Sequence, residues 1–242
     1  MVNVTIDGKD YRAGEGQNVL ETALENGIEI PHLCYHEALA PFGGCRLCLV
    51  EITRNGRTFL TTSCTYPSLE GLFVRTETPE ILKARRLVLE LLLPLAPGAP
   101  LLQDLARRMG VTEPRFAAGE EVDHCIRCGL CLRACAELVG ARAITFSGRG
   151  YRRKVEPPFG EEALNCIGCG TCVFLCPTGC IQMKDMDGVR TLDRWKRRLP
   201  LKACTSCGRH YIPFAAIEFA RQKGRQPPPE DWFELCPDCR QD

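Results

Sequence analysis

Eight cysteines in two runs constrain this chain more than any other feature. Cys125, Cys128, Cys131 and Cys135 follow the spacing C-x2-C-x2-C-x3-C. Cys166, Cys169, Cys172 and Cys176 repeat it 41 positions later, with Pro177 directly after. An internal repeat is the first thing to settle in reading a sequence. The spacing is what a cubane iron–sulfur cluster requires. Three thiolates on a tight loop cap three corners, and the fourth cysteine, at the start of the following helix, crosses to the other cluster. The spacing therefore predicts one [4Fe–4S] cluster on Cys125, Cys128, Cys131 and Cys176, and a second on Cys166, Cys169, Cys172 and Cys135. Gly129, Gly168 and Gly170 let backbone N–H groups turn toward sulfur. Ile126, Leu130, Ile167 and Val173 are expected to keep water away. Zinc sites use two C-x2-C pairs and have no use for a third cysteine at the same step. Disulfides need an oxidising compartment, and no stretch reads as an export signal. There are two departures. Ala136 follows Cys135 where the pattern has proline. Cys180 is a ninth cysteine, expected to be a buried small residue and not a ligand.

Cysteine occupies 17 of 242 positions. Without a charged and apolar leader pattern, that usage points to metal in a reducing cytoplasm. The longest apolar run, 87–95, contains Glu90 and Pro94 and has roughly half the length needed to span a bilayer. No membrane insertion is expected. The formal net charge of +1 counts thiols as neutral. Ligating cysteines are thiolates, so the loaded chain is more acidic, and charge makes no case for nucleic acid.

The pattern predicts an α+β chain of four parts. Residues 1–78 open with alternating Val2, Val4 and Ile6, a turn at Asp7 and Gly8, and a return strand. Asn18 then caps a helix that Gly27 ends. Strand, turn, strand and helix in that order open a β-grasp fold. Cys34, Cys45, Cys48 and Cys64 follow as C-x10-C-x2-C-x15-C, with strands around a turn at Asn55 and Gly56. Four cysteines on loops around such a core suit a [2Fe–2S] cluster, two thiolates to each iron; a zinc site is the alternative. His32 and His36 are expected in structural roles. Residues 79–119 read as a helical hairpin, with helices 79–93 and 101–109 around a Pro-Gly break. Residues 120–189 hold the doubled octet, with a short strand at 143–146, a basic loop at 149–154 and a strand at 181–184. Residues 190–242 begin with a basic connector containing Trp195. They continue to two C-x2-C knuckles, Cys204 with Cys207 and Cys236 with Cys239. Four thiolates there suit structural zinc or a further [4Fe–4S] cluster; the ligand pattern leans to zinc.

Residues 1–93 resemble the N-terminal ferredoxin domain of the large peripheral-arm subunit of respiratory NADH:quinone oxidoreductase. The small diaphorase subunit of NAD-reducing [NiFe]-hydrogenases and the N-terminal region of [FeFe]-hydrogenases share that domain. The resemblance is carried by Pro31 to Cys34, Gly43 to Cys48, Thr62 to Cys64, and the helix Arg85 to Leu93. Residues 120–189 resemble the two-cluster ferredoxins, and the two likenesses together span about three-quarters of the chain. The family also carries a cluster held by one histidine and three cysteines after the Leu-rich helix. Leu102, Gln103, Asp104 and Leu105 match its end, but residues 94–101 contain neither cysteine nor histidine. That segment is therefore expected as a spacer without metal. The tail resembles the cysteine-rich extension of some hydrogenase and formate-hydrogenlyase ferredoxin subunits.

No phosphate-binding glycine loop, H-E-x-x-H motif or triad-like grouping is present, so no catalytic residue is expected. The resemblance implies an electron-transfer subunit with one [2Fe–2S] and two [4Fe–4S] clusters. It would work between a flavin/NAD(P)-binding subunit and a hydrogenase catalytic subunit, with formate dehydrogenase as the alternative. Ferredoxin would be a further client if the complex bifurcates electrons. A zinc-stabilised binding or scaffold protein is the contrasting reading.

Overall fold

The computed structural model describes residues 1–120, 122–223, 228–229 and 231–241. Of the three prolines at 227–229, which the sequence sets after a helix over 213–222, Pro227 lies outside them. The chain divides into two units, Met1–Leu130 and Cys131–Asp242.

In the first unit, β1 (Val2–Ile6) and β2 (Lys9–Ala13) form a hairpin. Its turn residues Asp7 and Gly8 have φ of 48° and 79°, the left-handed pair that a tight two-residue hairpin demands. α1 (Val19–Glu25) starts with a capping box: the Asn18 side chain accepts from the Glu21 N–H, and the Glu21 carboxylate accepts from the Asn18 N–H. β3 (Leu49–Arg54) and β4 (Arg57–Thr62) turn at Asn55 and Gly56 as expected. A fifth strand, β5 (Leu72–Arg75), lies between β1 and β3, parallel to the first and antiparallel to the second. The sheet order β2-β1-β5-β3-β4 is the mixed sheet of a β-grasp fold. Val19, Leu20 and Ala23 of α1 bury against Val4, Ile6, Val50, Ile52, Leu72 and Val74. Each large aliphatic chain buried this way contributes about 1.5–3 kcal/mol before entropy is counted. Cys48 and Cys64 belong to the same core, so this core sets where two of the predicted ligands stand.

α2 (Pro79–Leu92) is capped by the Thr78 hydroxyl and runs into a short turn, Leu93–Leu95. α3 (Pro100–Arg108) follows, and the chain leaves the helix at Met109 and Gly110. This is the expected hairpin. Arg85 of α2 is 4% exposed, and its Nη2 donates to the Leu49 carbonyl at 2.6 Å. That bond ties the helix to β3 one residue past Cys48. Arg85→Met should lower the unfolding free energy by about 1–3 kcal/mol, because it leaves a buried carbonyl without its donor. Chemical denaturation of the apo chain measures this. An unchanged midpoint would show the bond to be dispensable.

In the second unit, α4 (Leu130–Arg133), which starts at the division, is followed by a wider turn, Ala134–Leu138. Next come β6 (Thr145–Ser147), β7 (Lys154–Glu156) and α5 (Thr171–Phe174). After them lie β8 (Lys184–Met186), β9 (Val189–Leu192), β10 (Arg197–Ala203), β11 (His210–Pro213) and α6 (Phe214–Lys223). The last four strands form one antiparallel sheet, ordered β11-β10-β9-β8. The stretch from Arg190 to Lys202, expected as a connector, is therefore largely sheet. Leu199 and Leu201 are buried while Arg198 and Pro200, which alternate with them, face outward, the period-two pattern of a half-buried strand. The basic side chains obscure it in the sequence. Among the described residues, no helix is long and apolar enough to cross a membrane.

Candidate metal centres

In the first unit, Cys34, Cys45, Cys48 and Cys64 are all at most 2% exposed. Their thiols interact as one group: Cys34 hydrogen-bonds with Cys45 and Cys64, and Cys48 with Cys64. The Cys45 N–H donates to the Cys34 Sγ at 3.4 Å. Hydrogen bonds from Cys45 and then Cys64 hold the Cys34 thiol far below its ordinary range. The Cys64 thiol brings Cys48 down to about 6. The donors Cys45 and Cys64 are pushed up by the same bonds and by burial. The four sulfurs share their protons with one another, and iron would take all four as thiolates. Ser63 fixes the group from behind, its N–H and hydroxyl both donating to the Cys48 carbonyl at 2.8 and 2.9 Å. A Cβ on Gly44 would stand 2.4 Å from the Phe42 ring, so any side chain there must displace that ring. His32 Nδ1 pairs with the Ile30 carbonyl and His36 Nδ1 accepts from the Ala38 N–H. Both histidines thus serve local structure.

In the second unit, Cys135, Cys166, Cys169 and Cys172 line one cavity, walled by Ala141, Ile144, Ile167, Leu192 and Trp195 among others. This brings the last cysteine of the first run to the first three of the second, the crossed set that spacing predicts. Three sulfurs receive donors: Ala143 N–H to Cys135 at 3.3 Å, Thr171 Oγ1 to Cys169 at 3.4 Å and Trp195 Nε1 to Cys172 at 3.4 Å. Burial pushes the Cys172 thiol up to about 11, against the pull of the Trp195 N–H. Burial raises Cys135 and Cys166 too. Gly168 has φ of 70°, and a Cβ there would stand 2.6 Å from Leu199 Cδ1 and 3.0 Å from Pro213 Cγ. The loop is therefore packed directly on β10 and the end of β11.

The first set falls on both sides of the division. Cys125 and Cys128, each 7% exposed, end the first unit, and the Cys125 N–H donates to Asp123 Oδ1 at 3.1 Å. Cys131, on α4, and Cys176 belong to the second unit. Neither Cys135 nor Cys176 stands at the start of a helix: Cys135 lies in the wide turn after α4, and Cys176 follows α5. Cys180 is half-buried, not buried as expected. Its sulfur lies 3.5 Å from that of Cys176, beyond the S–S bond length of about 2 Å.

The tail cysteines form the tightest group. The Sγ atoms of Cys204, Cys207, Cys236 and Cys239 all lie within 4.8 Å of one another, and Cys207 and Cys236 are 3.8 Å apart. The Cys236 N–H donates to Cys204 Sγ at 3.3 Å. Backbone N–H groups of Cys207 and Cys236 bring the Cys204 thiol down to about 6. Cys204 leaves β10 directly. The Tyr211 hydroxyl of β11 donates to the Phe233 and Leu235 carbonyls at 2.8 and 3.1 Å, tying the second knuckle to the sheet.

Sequence reasoning placed Arg85 and Ser63 in stretches that carry the resemblance but gave neither a role, and it missed the sulfur-bonding roles of Trp195 and Thr171. A buried helical arginine and a tryptophan inside a basic run carry no signal before the fold is seen.

These thiol sets define a class, the proteins that carry a β-grasp cluster domain and a dicluster domain in one chain. Residues 1–79 match the family model for a 2Fe-2S iron-sulfur cluster binding domain, and residues 120–183 that for a 4Fe-4S dicluster domain. The chain is 32% identical to a chain in the crystal structure of NAD+-reducing [NiFe]-hydrogenase in the H2-reduced state, with a TM-score of 0.63. That match covers 74% of this chain and 85% of the other. It is 33% identical to an NADH-quinone oxidoreductase subunit from Rickettsia prowazekii over 64% of its own length. It is 35% identical to the NADP-reducing hydrogenase subunit HndD from Solidesulfovibrio fructosivorans over 75% of its length. The chain spans only 26% and 36% of those two relatives. The chain belongs with the iron–sulfur proteins of this two-domain class, among which are subunits of NADH-quinone oxidoreductases and NAD(P)-reducing hydrogenases.

Proposed function

We propose that the chain relays electrons one at a time between a flavin/NAD(P)-binding subunit and the catalytic subunit of a hydrogenase. Formate dehydrogenase is the alternative catalytic partner, and ferredoxin a further client if the complex bifurcates. The working location is the cytoplasm. The domains run 1–78, 79–119, 120–189 and 190–242, the second a spacer without metal. Cys34, Cys45, Cys48 and Cys64 hold a [2Fe–2S] cluster. Cys125, Cys128, Cys131 and Cys176 hold one [4Fe–4S] cluster, and Cys135, Cys166, Cys169 and Cys172 the other.

The observation that carries this reading is the meeting of Cys135 with Cys166, Cys169 and Cys172 in one apolar cavity. Zinc has no need of a ligand borrowed from the other half of a repeat. When bound, such clusters supply reversible one-electron storage. The polypeptide supplies thiolates, N–H and hydroxyl donors to sulfur, and apolar walls that keep water off. At the tail, sulfur spacing supports zinc. A tetrahedral ion with metal–sulfur bonds of about 2.3 Å sets its sulfurs about 3.8 Å apart, and Cys207 and Cys236 stand at 3.8 Å. A cubane gives each thiolate its own iron and spreads them wider.

Metal and sulfide analysis of the anaerobically purified chain, with low-temperature EPR after reduction, tests the whole assignment. We expect about ten irons and one zinc per chain. About fourteen irons would place a third cubane in the tail. A colourless preparation without acid-labile sulfide would favour the zinc-stabilised scaffold and end the relay reading.

A further inference from the structure

The β9–β10 hairpin reaches over the loop that carries Cys166, Cys169 and Cys172. Arg190 Nη1 donates to the Gly168 carbonyl at 2.7 Å and Arg197 Nε to the Cys166 carbonyl at 3.2 Å. The Trp195 carbonyl accepts from the Ala163 N–H at 3.1 Å. These bonds fix the loop's backbone. One further group from the hairpin goes to sulfur itself, the Trp195 indole N–H on Cys172.

Trp195 is 1% exposed. A buried indole N–H needs an acceptor, and here the acceptor is a thiol sulfur in a cavity walled by Leu192, Ile144 and Ala143. The donor comes from 23 residues beyond the cysteine, outside the repeated motif. The duplicated cysteine pattern does not include it. A fixed dipole in a dry site favours whichever state puts more negative charge on the sulfur, and the reduced state is that state.

We propose that Trp195 is a positioning residue that raises the reduction potential of the cluster on Cys135, Cys166, Cys169 and Cys172 through its hydrogen bond to Cys172. This rests on reading those four cysteines as one ligand set. The expected size follows from hydrogen bonds to charged groups, part of whose free energy differs between redox states.

The test is an EPR-monitored redox titration of the full anaerobic chain against Trp195→Phe. Iron and sulfide content should be unchanged. At a fixed poise, the reduced-to-oxidised ratio of one cubane should fall by about three- to tenfold, tenfold being about 59 mV for a one-electron couple. The other cubane and the [2Fe–2S] cluster should keep their midpoints. Unmoved midpoints with iron intact would overturn the proposal. Should the variant lose iron, a second measurement decides. The chain has two tryptophans, so indole-15N labelling in a Trp232→Phe background reports on Trp195 alone. A 15N coupling to the reduced cubane in pulsed EPR supports the bond, and its absence overturns it. Lack of labile sulfide in the parent chain would instead sink the relay reading.

Discussion

Cys236→Ser should release the tail's metal and unfold both knuckles together, while the iron content stays unchanged. Cys236 is fully buried, lies 3.8 Å from Cys207 by sulfur, and donates its own N–H to Cys204. A serine hydroxyl is too weak a ligand to complete the four-thiolate set. The free energy of binding zinc at such sites rivals the whole stability of a small domain, and little else holds this segment. Its apolar burial among the described residues is confined to a few side chains, Phe233 and Ile217 among them. The Tyr211 hydroxyl bonds depend on the second knuckle being in place, whereas the β10–β11 ladder keeps Pro213 against Gly168 and the iron with it. Zinc analysis, limited proteolysis and hydrogen exchange at 204–208 measure the effect. A full zinc complement with the parent's protease pattern would refute it.

Cys64→Ser should abolish the [2Fe–2S] cluster and remove about two of the ten irons, leaving both cubane signals. Cys64 is 1% exposed and sits in the β-grasp core, its thiol within hydrogen-bonding reach of Cys34 and Cys48. Cys64→Ala should lose the cluster equally, because a missing ligand and not a packing change is responsible. The two variants should part in the apo chain. Serine keeps a donor beside the Cys34 and Cys48 sulfurs at that position and alanine removes it, a difference of about 0.5–1.5 kcal/mol in favour of serine. Denaturation midpoints separate these effects, and EPR reports the cluster. A full-strength [2Fe–2S] signal in Cys64→Ser would mean another residue supplies the fourth thiolate.

Much of the fold is legible in the residues alone, for identifiable reasons. The first hairpin shows a period-two pattern and a turn pair that admits almost no alternative conformation. The Asn18 helix carries its cap in sequence. The Cys135 crossing follows from the arithmetic of a duplicated spacing. β5 is not legible. It has four residues, its outward Phe73 is 57% exposed, and its place between β1 and β3 is a long-range pairing that no local signal encodes. β10 is hidden because strand alternation there is written in leucines set among arginines. Cys180 misleads because a cysteine beside a ligand run looks like filler until its sulfur is seen next to Cys176. Arg85 and Trp195 act through contacts with distant residues, and distance along the chain is what a linear reading handles least well.

The packing of Gly168 on Leu199 and Pro213 has a consequence for biosynthesis. A nascent chain that has emerged only as far as Cys176 presents all eight cysteines of the repeat, yet the wall behind Gly168 has not been made. The ribosome must add almost forty more residues before Pro213 can close it. Inorganic sulfide and iron delivered earlier would meet a cavity open to water and oxidants, so durable loading belongs to the last stage of maturation, after translation has passed β11.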